Sequence, residues 1–386
     1  MIRKKILWLC SWYPNKIEPF NGDFIQRHAR AASLYDDIYV IHVAADAFKT
    51  ASKDEKVINK AEGLIEHFVY YKRGFAFLGK IISYYRWFIV FRKAIRFYLK
   101  ENGKPDLVHV HIPVKAGLLA LWMKKKYKVP YVLTEHWGIY NNVEVNNYEN
   151  KSTLFKNYTK KIINGAARFI SVSSYLAEGV NRLVMKKKYT VIPNTVDTSL
   201  FYFNEKHSST FRFIHVSNMV PVKNTEGILK AFKLLLQQKN NASLIMVGDT
   251  DPAIRKFANE LGISVTNISF LGEVSYKQVA EELKQSQCLV LFSNIENSPC
   301  VICEALCCGL PVIATNVGGI PELVDAENSI LVELGNERNL ANAMQKMMES
   351  YSGYDGKKIA EDATNKFSYS VIGKKIDTVY REVTGI

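Results

Sequence analysis

Short apolar runs alternate with amphipathic segments along the whole chain. In the first half, such runs favour buried strands, and the segments between most of them show helical spacing. One of these helices is predicted at Phe24–Leu34, with Phe24, His28 and Ala31 on one face. The predicted strands are residues 5–10, 38–44, 64–71, 107–111, 131–134 and 169–173. This alternation is typical of a parallel sheet covered by helices.

The pattern restarts after a polar join around Pro193–Ser209. Strands are then predicted at residues 211–216, 242–247, 268–271, 288–292 and 312–315, and helices at 225–237, 252–261, 276–285, 339–350 and 370–383. A chain of 386 residues exceeds what one hydrophobic core usually serves. The sequence therefore predicts two α/β domains of similar size that face each other.

The stretch Asn294–Gly319 combines several features of a ligand site. It follows a predicted strand and carries Glu296 and Glu304, eight positions apart. Pro299 is suited to the first turn of a helix, which is predicted to end at Gly309. A second strand and a Gly-Gly turn follow. Loops at the carboxyl ends of parallel strands are where α/β proteins form ligand crevices.

A turn that carries Gly, Ser, Asn or Asp follows each predicted strand of this half. Residues of these types allow a ligand to approach the backbone, and helix N-termini beside them favour phosphate. They are Ser217-Asn218, Gly248-Asp249, Gly272-Glu273, Ser293-Asn294 and Gly318-Gly319. Lys223 lies shortly after the first of these turns and is placed to neutralise a phosphate. Together they indicate a phosphorylated ligand.

The excess of positive charge is confined to the first half of the chain. Of the formal net charge of +14, residues 1–200 contribute +17 and the remainder −3. This excess implies an anionic partner, either a membrane surface, a nucleic acid or an acidic substrate. Phe75–Lys100 is aromatic and basic and contains no acidic residue, as expected of an amphipathic helix on an anionic bilayer. The alternative is a core-facing helix with a solvated basic side.

Several other classes of protein are disfavoured. The six cysteines lack the spacing of a disulfide scaffold or a zinc site, and Cys300-x-x-Cys303 has no second ligand pair. Buried, reduced thiols are expected instead. The apolar run after the first basic residues is too short for a signal peptide, and no run is long enough to span a membrane. No G-x-G-x-x-G follows the strands at residues 6–10 or 211–216, which disfavours a dinucleotide-dependent oxidoreductase.

The segment from Glu296 to Glu304 resembles the E-x7-E signature of glycosyltransferase family 4. The resemblance continues in order through residues 215–224, 246–249, 270–274, 309–315 and 317–324, and reaches residues 171–174 and 191–197 of the first half. The family implies the GT-B fold, with two Rossmann-like parallel-sheet domains facing a central cleft. Residues 1–200 would bind the acceptor and 201–366 the nucleotide sugar, while a helix in 367–386 would pack back on the first domain.

The resemblance assigns the donor site largely to the second domain. Glu304 would hold the ribose hydroxyls, and Glu296 would contact hydroxyls of the donor sugar. Lys223 would neutralise the departing diphosphate, beside Asn218, which stands where the family usually has an arginine. The backbone N–H groups of Ser298, Cys300 and Val301 would cap sugar and phosphate from the start of the helix.

The first domain would supply the acceptor side. Gly22, in the place of the family's Gly-rich loop, is expected to approach the donor, and Asp23 the acceptor. His136 matches a histidine near the reacting sugar and is expected to be catalytic together with Glu296 and Lys223. Capping of a strand end is the alternative for His136. Glu135 would orient the His136 ring or contact the acceptor, whereas core or turn roles are expected for His109 and His111.

The expected function is therefore that of a retaining, metal-independent hexosyltransferase. It would use a nucleotide-diphosphate sugar, without a cofactor, to build a surface polysaccharide, lipopolysaccharide or glycolipid. Asp249-Thr250-Asp251 resembles a metal-binding D-x-D but has no companion ligands, so a loop is predicted there. A cytoplasmic location at the inner face of the membrane is expected. The alternatives are a GT-B-fold epimerase or phosphorylase, or a basic nucleic-acid-binding protein, for which no recognition motif is present.

Overall fold

The chain divides into two compact units. A computed structural model describes residues 2–46, 54–72, 79–141, 143, 146–205, 210–239, 241–248 and 252–386, with the backbone alone for 79–81. One unit comprises Met1–Thr195 with Tyr369–Ile386, and the other comprises Val196–Ser368. The predicted divisions after residues 200 and 366 lie near these. The first residues of the predicted helix Phe75–Lys100 and the segment Asp249-Thr250-Asp251 lie outside the described residues.

The first unit is built on one twisted sheet. Its strands are β1 (Lys5–Cys10), β2 (Asp37–Asp46), β3 (Glu55–Ala61), β4 (Leu64–Lys72), β5 (Leu107–His111), β6 (Tyr131–Glu135), β7 (Arg168–Ser171) and β8 (Tyr189–Val191). Its helices are α1 (Asp23–Ser33), α2 (Gly79–Asn102), α3 (Ala116–Tyr127), α4 (Thr153–Gly165) and α5 (Ser174–Leu183). The described strands are ordered β3-β4-β2-β1-β5-β6-β7-β8, and all neighbours are parallel except β3 and β4.

The second unit repeats the plan with a parallel sheet. Its strands are β9 (Phe211–Val216), β10 (Ala242–Val247), β11 (Ile268–Gly272), β12 (Cys288–Leu291), β13 (Val312–Thr315) and β14 (Ser329–Val332). Its helices are α6 (Thr225–Leu236), α7 (Pro252–Glu260), α8 (Tyr276–Gln285), α9 (Cys300–Cys307), α10 (Glu337–Ser350) and α11 (Gly356–Phe367). The described strands are ordered β11-β10-β9-β12-β13-β14. The strand order reverses beside β9, so the loops after β9 and β12 meet at a switch point, where such sheets bind ligands.

The last helix, α12 (Tyr369–Thr384), belongs to the first unit. Lys4 Nζ donates to Oδ1 of Asp377 at 2.6 Å and also lies 2.8 Å from Oδ1 of Asp36. The hydroxyl of Tyr380 lies 2.6 Å from Nδ1 of His109. Because a buried ammonium is tolerated only when it is paired, these contacts tie α12 to the start of β1.

Several central strands of the two sheets are buried on both faces. β1 is exposed only at its first residue, and β5, β6, β12 and β13 are buried throughout. The six cysteines are all free thiols, and Cys300 alone among them is partly exposed. Among the described residues, no helix has both the length and the apolar character needed to cross a bilayer.

Candidate functional site

Lys223 and Glu296 meet at the carboxyl edge of the second sheet. Lys223 ends the short turn after β9, and Glu296 lies in the loop between β12 and α9. Their charged groups are 2.6 Å apart, Lys223 Nζ to Glu296 Oε1. The hydroxyl of Ser293 donates to the same carboxylate oxygen at 2.8 Å. Glu296 is buried, whereas a fifth of the Lys223 side chain is exposed (21 %).

Two backbone contacts fix the loop that carries Glu296. The N–H of Asn294 donates to the carbonyl of Val222 at 2.8 Å, which joins this loop to the turn that carries Lys223. On the other side, the N–H of Gly319 donates to the carbonyl of Glu296 at 3.0 Å. Gly318 has φ +57°, and a Cβ there would lie 1.9 Å from the Glu296 carbonyl oxygen. The Gly-Gly turn is therefore needed for close packing against the backbone of Glu296.

Glu304 lies inside α9 and is nearly fully buried, with 4 % exposure. The hydroxyl of Tyr276, the first residue of α8, donates to Oε1 of Glu304 at 3.0 Å. The ring of Tyr276 packs on Phe201, with centroids 4.7 Å apart. Tyr276 is a site residue that the sequence pattern did not predict. Its position directly after the Gly272-Glu273 turn was the available signal, because helices that begin there lie at the same edge of the sheet.

The start of α9 carries the three residues predicted to cap a ligand with their N–H groups. Pro299 is the residue before the helix rather than its first residue, and Cys300 is the first. Ser298 and Val301 are buried, and Cys300 is partly exposed. The N–H groups at the start of a helix have no carbonyl partner within the helix, and they carry a partial positive charge.

Asn218 is exposed in a loop that His215 organises. Nδ1 of His215 lies 2.9 Å from the carbonyl of Val290, and a carbonyl oxygen only accepts, so Nδ1 carries the proton. Nε2 then accepts from the hydroxyl of Ser217 at 2.7 Å, and Ser217 Oγ accepts from the N–H of Met219 at 3.0 Å. Burial lowers the pKa of His215 to about 4, which keeps this arrangement neutral. The structure thus gives the Asn218 loop a defined shape without adding a charge.

In the first unit, Gly22 and Asp23 open α1. Gly22 has φ +74°, and a Cβ there would lie 2.8 Å from the backbone carbon of Trp12. Asp23 Oδ2 accepts from the guanidinium of Arg27 at 2.9 Å. The backbone of Gly22 therefore packs closely on that of Trp12, and the Asp23 carboxylate is held by its own helix.

His136 faces His111 across the carboxyl edge of the first sheet. Nε2 of His136 lies 3.1 Å from Nδ1 of His111. The ring centroids are 5.4 Å apart and the planes differ by 21°, so the nitrogens meet edge to edge, as in an N–H···N hydrogen bond. Burial lowers the pKa of both rings well below the usual value, so both are neutral. His109, by contrast, bridges Tyr380 and Thr134 in the core.

His28 completes a group of three buried histidines. One ring nitrogen from each of His28, His111 and His136 lies within 4.8 Å of the others. Imidazole is a ligand that Zn²⁺ accepts. However, His28 Nε2 is 3.1 Å from the carbonyl of Pro193 and so donates to it, while His111 and His136 share a hydrogen bond. The contacts of this cluster are those of a hydrogen-bonded core group.

Glu135 is fully buried beside His136. Its Oε1 accepts from the N–H groups of His136 and Trp137, both at 2.9 Å, and its Oε2 accepts from the hydroxyl of Tyr140 at 2.8 Å. Burial raises the pKa of Glu135 to about 7, although these three donors act in the opposite direction. The carboxylate orders the backbone that carries His136 and is directed away from solvent, which fits an orienting role better than contact with an acceptor.

Two family models match consecutive parts of the chain. The model described as "Glycosyltransferase Family 4" matches residues 30–200, and the model described as "Glycosyl transferases group 1" matches residues 199–366. The putative teichuronic acid biosynthesis glycosyltransferase TuaC of Bacillus subtilis is 26 % identical over 362 residues, which cover 88 % of each chain. An uncharacterized glycosyltransferase of Methanocaldococcus jannaschii is 26 % identical over 344 residues, covering 87 % of this chain and 90 % of the relative.

Solved structures of the same fold cover nearly the whole chain. Sucrose-phosphate synthase from Thermosynechococcus elongatus is similar with a TM-score of 0.78 and 19 % identity, covering 99 % of this chain and 100 % of that one. Anabaena HepE, solved in complex with UDP-glucose, is similar with a TM-score of 0.73 and 20 % identity, covering 98 % and 100 %. The predicted GT-B fold class, with two parallel-sheet α/β domains, is confirmed. With residues 30–366 matched end to end by the two models, the chain belongs to glycosyltransferase family 4.

Proposed function

We propose that this glycosyltransferase moves a hexosyl residue, with retention of configuration, from a nucleotide-diphosphate sugar to a glycan or glycolipid acceptor. The observation that carries the proposal is the ion pair of Lys223 and Glu296, 2.6 Å apart, at the strand switch point of the second unit. The proposed reaction breaks the bond between the anomeric carbon and a phosphate oxygen. A cation there can stabilise the leaving phosphate, and a neighbouring carboxylate can accept hydrogen bonds from the sugar hydroxyls. On α9, Glu304 is held by Tyr276 and supplies a carboxylate that can accept hydrogen bonds from the ribose diol.

In this proposal each donor contact has a chemical reason. A carboxylate accepts from two neighbouring hydroxyls, which suits Glu304 to the ribose and Glu296 to the sugar. Lys223 and the N–H groups at Ser298, Cys300 and Val301 stabilise the charge that develops on the diphosphate. Asn218 donates a hydrogen bond where relatives bring a second charge. The proposed reaction uses no metal and no cofactor, so its charge stabilisation depends mainly on Lys223.

On the acceptor side, His136 is proposed to contact the reacting sugar through Nδ1, because its Nε2 is engaged by His111 at 3.1 Å. A neutral imidazole can hydrogen-bond a sugar hydroxyl as donor or as acceptor. The leaving phosphate is proposed to accept the proton of the acceptor hydroxyl on the same face of the sugar, so that no protein nucleophile is needed. Catalysis then rests on positioning and electrostatics.

The relatives support a surface-glycan role at the membrane. TuaC is named for teichuronic acid biosynthesis, and HepE was solved with UDP-glucose, so a UDP-sugar and a cell-surface acceptor are the first candidates. We propose a cytoplasmic enzyme that contacts the inner face of the membrane through its basic first unit, whose residues 1–200 carry most of the positive charge. Polysaccharide and lipopolysaccharide acceptors both fit this location.

Calorimetry with nucleotide diphosphates tests the donor assignment. Glu304→Ala is expected to abolish UDP binding, whereas Glu296→Ala should bind UDP and lose turnover. Undiminished UDP binding by Glu304→Ala would refute the assignment. A hydrolysis screen across nucleotide sugars then identifies the donor. Product analysis by NMR separates transfer from the alternatives, since an epimerase returns a nucleotide sugar and a phosphorylase releases a sugar phosphate.

A further inference from the structure

Lys115 holds a positive charge at the carboxyl edge of the first sheet, in the loop between β5 and α3. Its side chain is partly buried, and Nζ lies 4.9 Å from the ring centroid of Tyr84 and 5.9 Å from that of Trp87. Among the described residues, no carboxylate lies within ion-pair distance of it. Glu18 is exposed and accepts from Asn21 at 2.9 Å. The ammonium is thus attracted by aromatic faces and a more distant carboxylate, without a direct counter-ion.

The backbone that presents Lys115 is strained. Lys115 has φ +80° and ψ −54°, and Ile112, three residues earlier, has φ +67°. Positive φ costs a residue with a Cβ about 1–2 kcal/mol relative to glycine. The hydroxyl of Ser11 holds the loop, because it donates to the carbonyl of Val114 at 3.2 Å and accepts from the N–H of Ala116 at 3.3 Å. Glycine would relieve the strain at position 115. We therefore expect a favourable interaction of the lysine side chain to offset that strain.

The surface beside Lys115 is apolar and exposed. Tyr84, which contacts the ammonium, is 55 % exposed, and Ile82 and Tyr85 on the same part of α2 are 53 % and 68 % exposed. An isolated cation next to exposed aromatic and aliphatic side chains matches a ligand that is anionic at one end and apolar at the other.

We propose that Lys115 binds a phosphate on the acceptor, and that the exposed side chains of α2 contact the acceptor's hydrocarbon part. This inference deepens the proposed function, on which it rests for the identity of the ligand as acceptor. It names the acceptor class as a lipid-linked phosphate. Lys115 is then a residue that determines acceptor specificity, and Tyr84 both orients its ammonium and borders the apolar surface.

Binding of three probes to the full chain tests the proposal by calorimetry. The probes are dodecyl phosphate below its micelle concentration, dodecyl maltoside as the neutral amphiphile, and inorganic phosphate as the anion without a chain. Wild type should bind dodecyl phosphate at least about tenfold more tightly than dodecyl maltoside, the factor expected for one charge-assisted contact. It should also bind dodecyl phosphate more tightly than inorganic phosphate, because the chain adds apolar contact. Inorganic phosphate binding as tightly as dodecyl phosphate would overturn the lipid assignment.

The variants locate the site. Lys115→Gly should lose at least about tenfold in affinity for dodecyl phosphate, and Lys115→Arg should keep it, since one charge-assisted contact is worth about that factor. Lys115→Gly should also melt no lower than wild type, because glycine accepts φ +80°. Should it melt lower, Lys115→Met makes the same comparison with the side-chain stem retained. Equal dodecyl phosphate affinity in wild type and the neutral variants would overturn the proposal.

UDP binding, measured on the same samples, separates this inference from the donor assignment. The Lys115 variants should bind UDP as wild type does. A chain that binds dodecyl phosphate through Lys115 but does not bind UDP would support this inference and refute the proposed donor. If UDP binding depends on Glu304 but dodecyl phosphate binding does not depend on Lys115, the donor assignment is supported and this inference is refuted.

Discussion

The ammonium of Lys223 lies 2.6 Å from Oε1 of Glu296, so two residues that we assign to different parts of the donor are paired with each other. Ser293 donates to the same oxygen at 2.8 Å and keeps the carboxylate oriented if Lys223 turns toward another anion. A diphosphate that approaches Lys223 therefore competes with Glu296 for one cation. Donor binding would then release the carboxylate from Lys223 and leave it, still held by Ser293, available to the sugar hydroxyls.

This coupling predicts that Lys223 and Glu296 act as a unit. Lys223→Met and Glu296→Gln should each lower kcat by about a hundredfold or more, the usual loss for one electrostatic contact in a transition state. The double variant should lose little beyond the worse single variant, as residues of one unit do. Steady-state kinetics on the four proteins of the cycle measures this. Losses that multiply would mean that the two side chains act independently.

Tyr276 is predicted to position Glu304 for the nucleotide. Tyr276→Phe removes the donor that lies 3.0 Å from Oε1 of Glu304 and retains the ring that packs on Phe201. Loss of one hydrogen bond to a carboxylate should weaken UDP binding by about tenfold, equivalent to about 1.4 kcal/mol. Calorimetry checks this, with Tyr351→Phe as the control because Tyr351 packs on Phe211 elsewhere in the same unit. Equal weakening in both variants would point to a general loss of stability.

The three described strands that the sequence did not predict all lie at sheet edges. β3 and β8 are the two edges of the first sheet, and β14 is an edge of the second. Edge strands bury less surface, so their sequences carry weaker apolar patterns; five residues of β3 are exposed or nearly so in the run Glu-Lys-Val-Ile-Asn-Lys-Ala. Central strands, buried on both faces, gave bounds that agree within a residue or two. α11 was also missed, because its short apolar face lies among charged residues.

The candidate site shows a similar limit. The sequence pattern indicated its charged residues but not the contacts that their side chains make. Glu296, Glu304 and Lys223 follow strands and carry charge, so position and residue type sufficed to select them. Tyr276 contacts Glu304, which lies 28 residues later, and spacing alone does not indicate such a contact. His111 was expected to have a core or turn role, and its contact with His136 became visible only in three dimensions.

Two buried groups predict opposite effects of pH on stability. The pKa of His215 is lowered to about 4, so its contribution is full above the unfolded value of 6.5 and is lost as pH falls toward 4. The pKa of Glu135 is raised to about 7, so its contribution is full below the unfolded value of 4.5 and is lost as pH rises through 7. Each effect is at most about 3 kcal/mol.

Chemical denaturation between pH 4 and 8 tests these signs. Relative to wild type, His215→Asn should flatten the loss of stability on acidification, and Glu135→Gln should flatten the loss on raising the pH from 5 to 8. Each variant is the control for the other, because both remove one buried titratable group. Variants whose stability parallels that of wild type at every pH would contradict the assigned shifts.

The solvent-facing stripe of α2 predicts binding to anionic membranes. Ile82, Tyr85 and Ile89 are exposed on its first turns, and Lys93, Arg96 and Lys100 continue the same stripe toward its end. Basic residues near an anionic surface contribute about 1 kcal/mol each. Replacement of Lys93, Arg96 and Lys100 by glutamate should therefore weaken binding to phosphatidylglycerol vesicles by at least about a hundredfold. Vesicle flotation measures this, with phosphatidylcholine vesicles and the exposed Lys277→Glu as controls. Unchanged flotation would favour the solvated-helix interpretation, and binding to DNA in a filter assay would favour the nucleic-acid alternative.

Gly318 is predicted to be required for turnover because it packs against the backbone of Glu296. A Cβ at Gly318 would lie 1.9 Å from the Glu296 carbonyl oxygen, which also accepts from the N–H of Gly319 at 3.0 Å. Gly318→Ala must therefore displace the loop that carries Glu296. If Glu296 has the proposed catalytic role, kcat should fall at least about tenfold, since small misplacements of catalytic groups are costly. Gly335→Ala is the matched control, because Gly335 also has positive φ, +69°, but a Cβ there meets nothing within 4 Å. It should cost about 1 kcal/mol of stability, as for any residue with a Cβ at positive φ, and leave kcat unchanged. Equal kcat values for the two variants would show that only the backbone conformation, and not the contact with Glu296, accounts for the glycine.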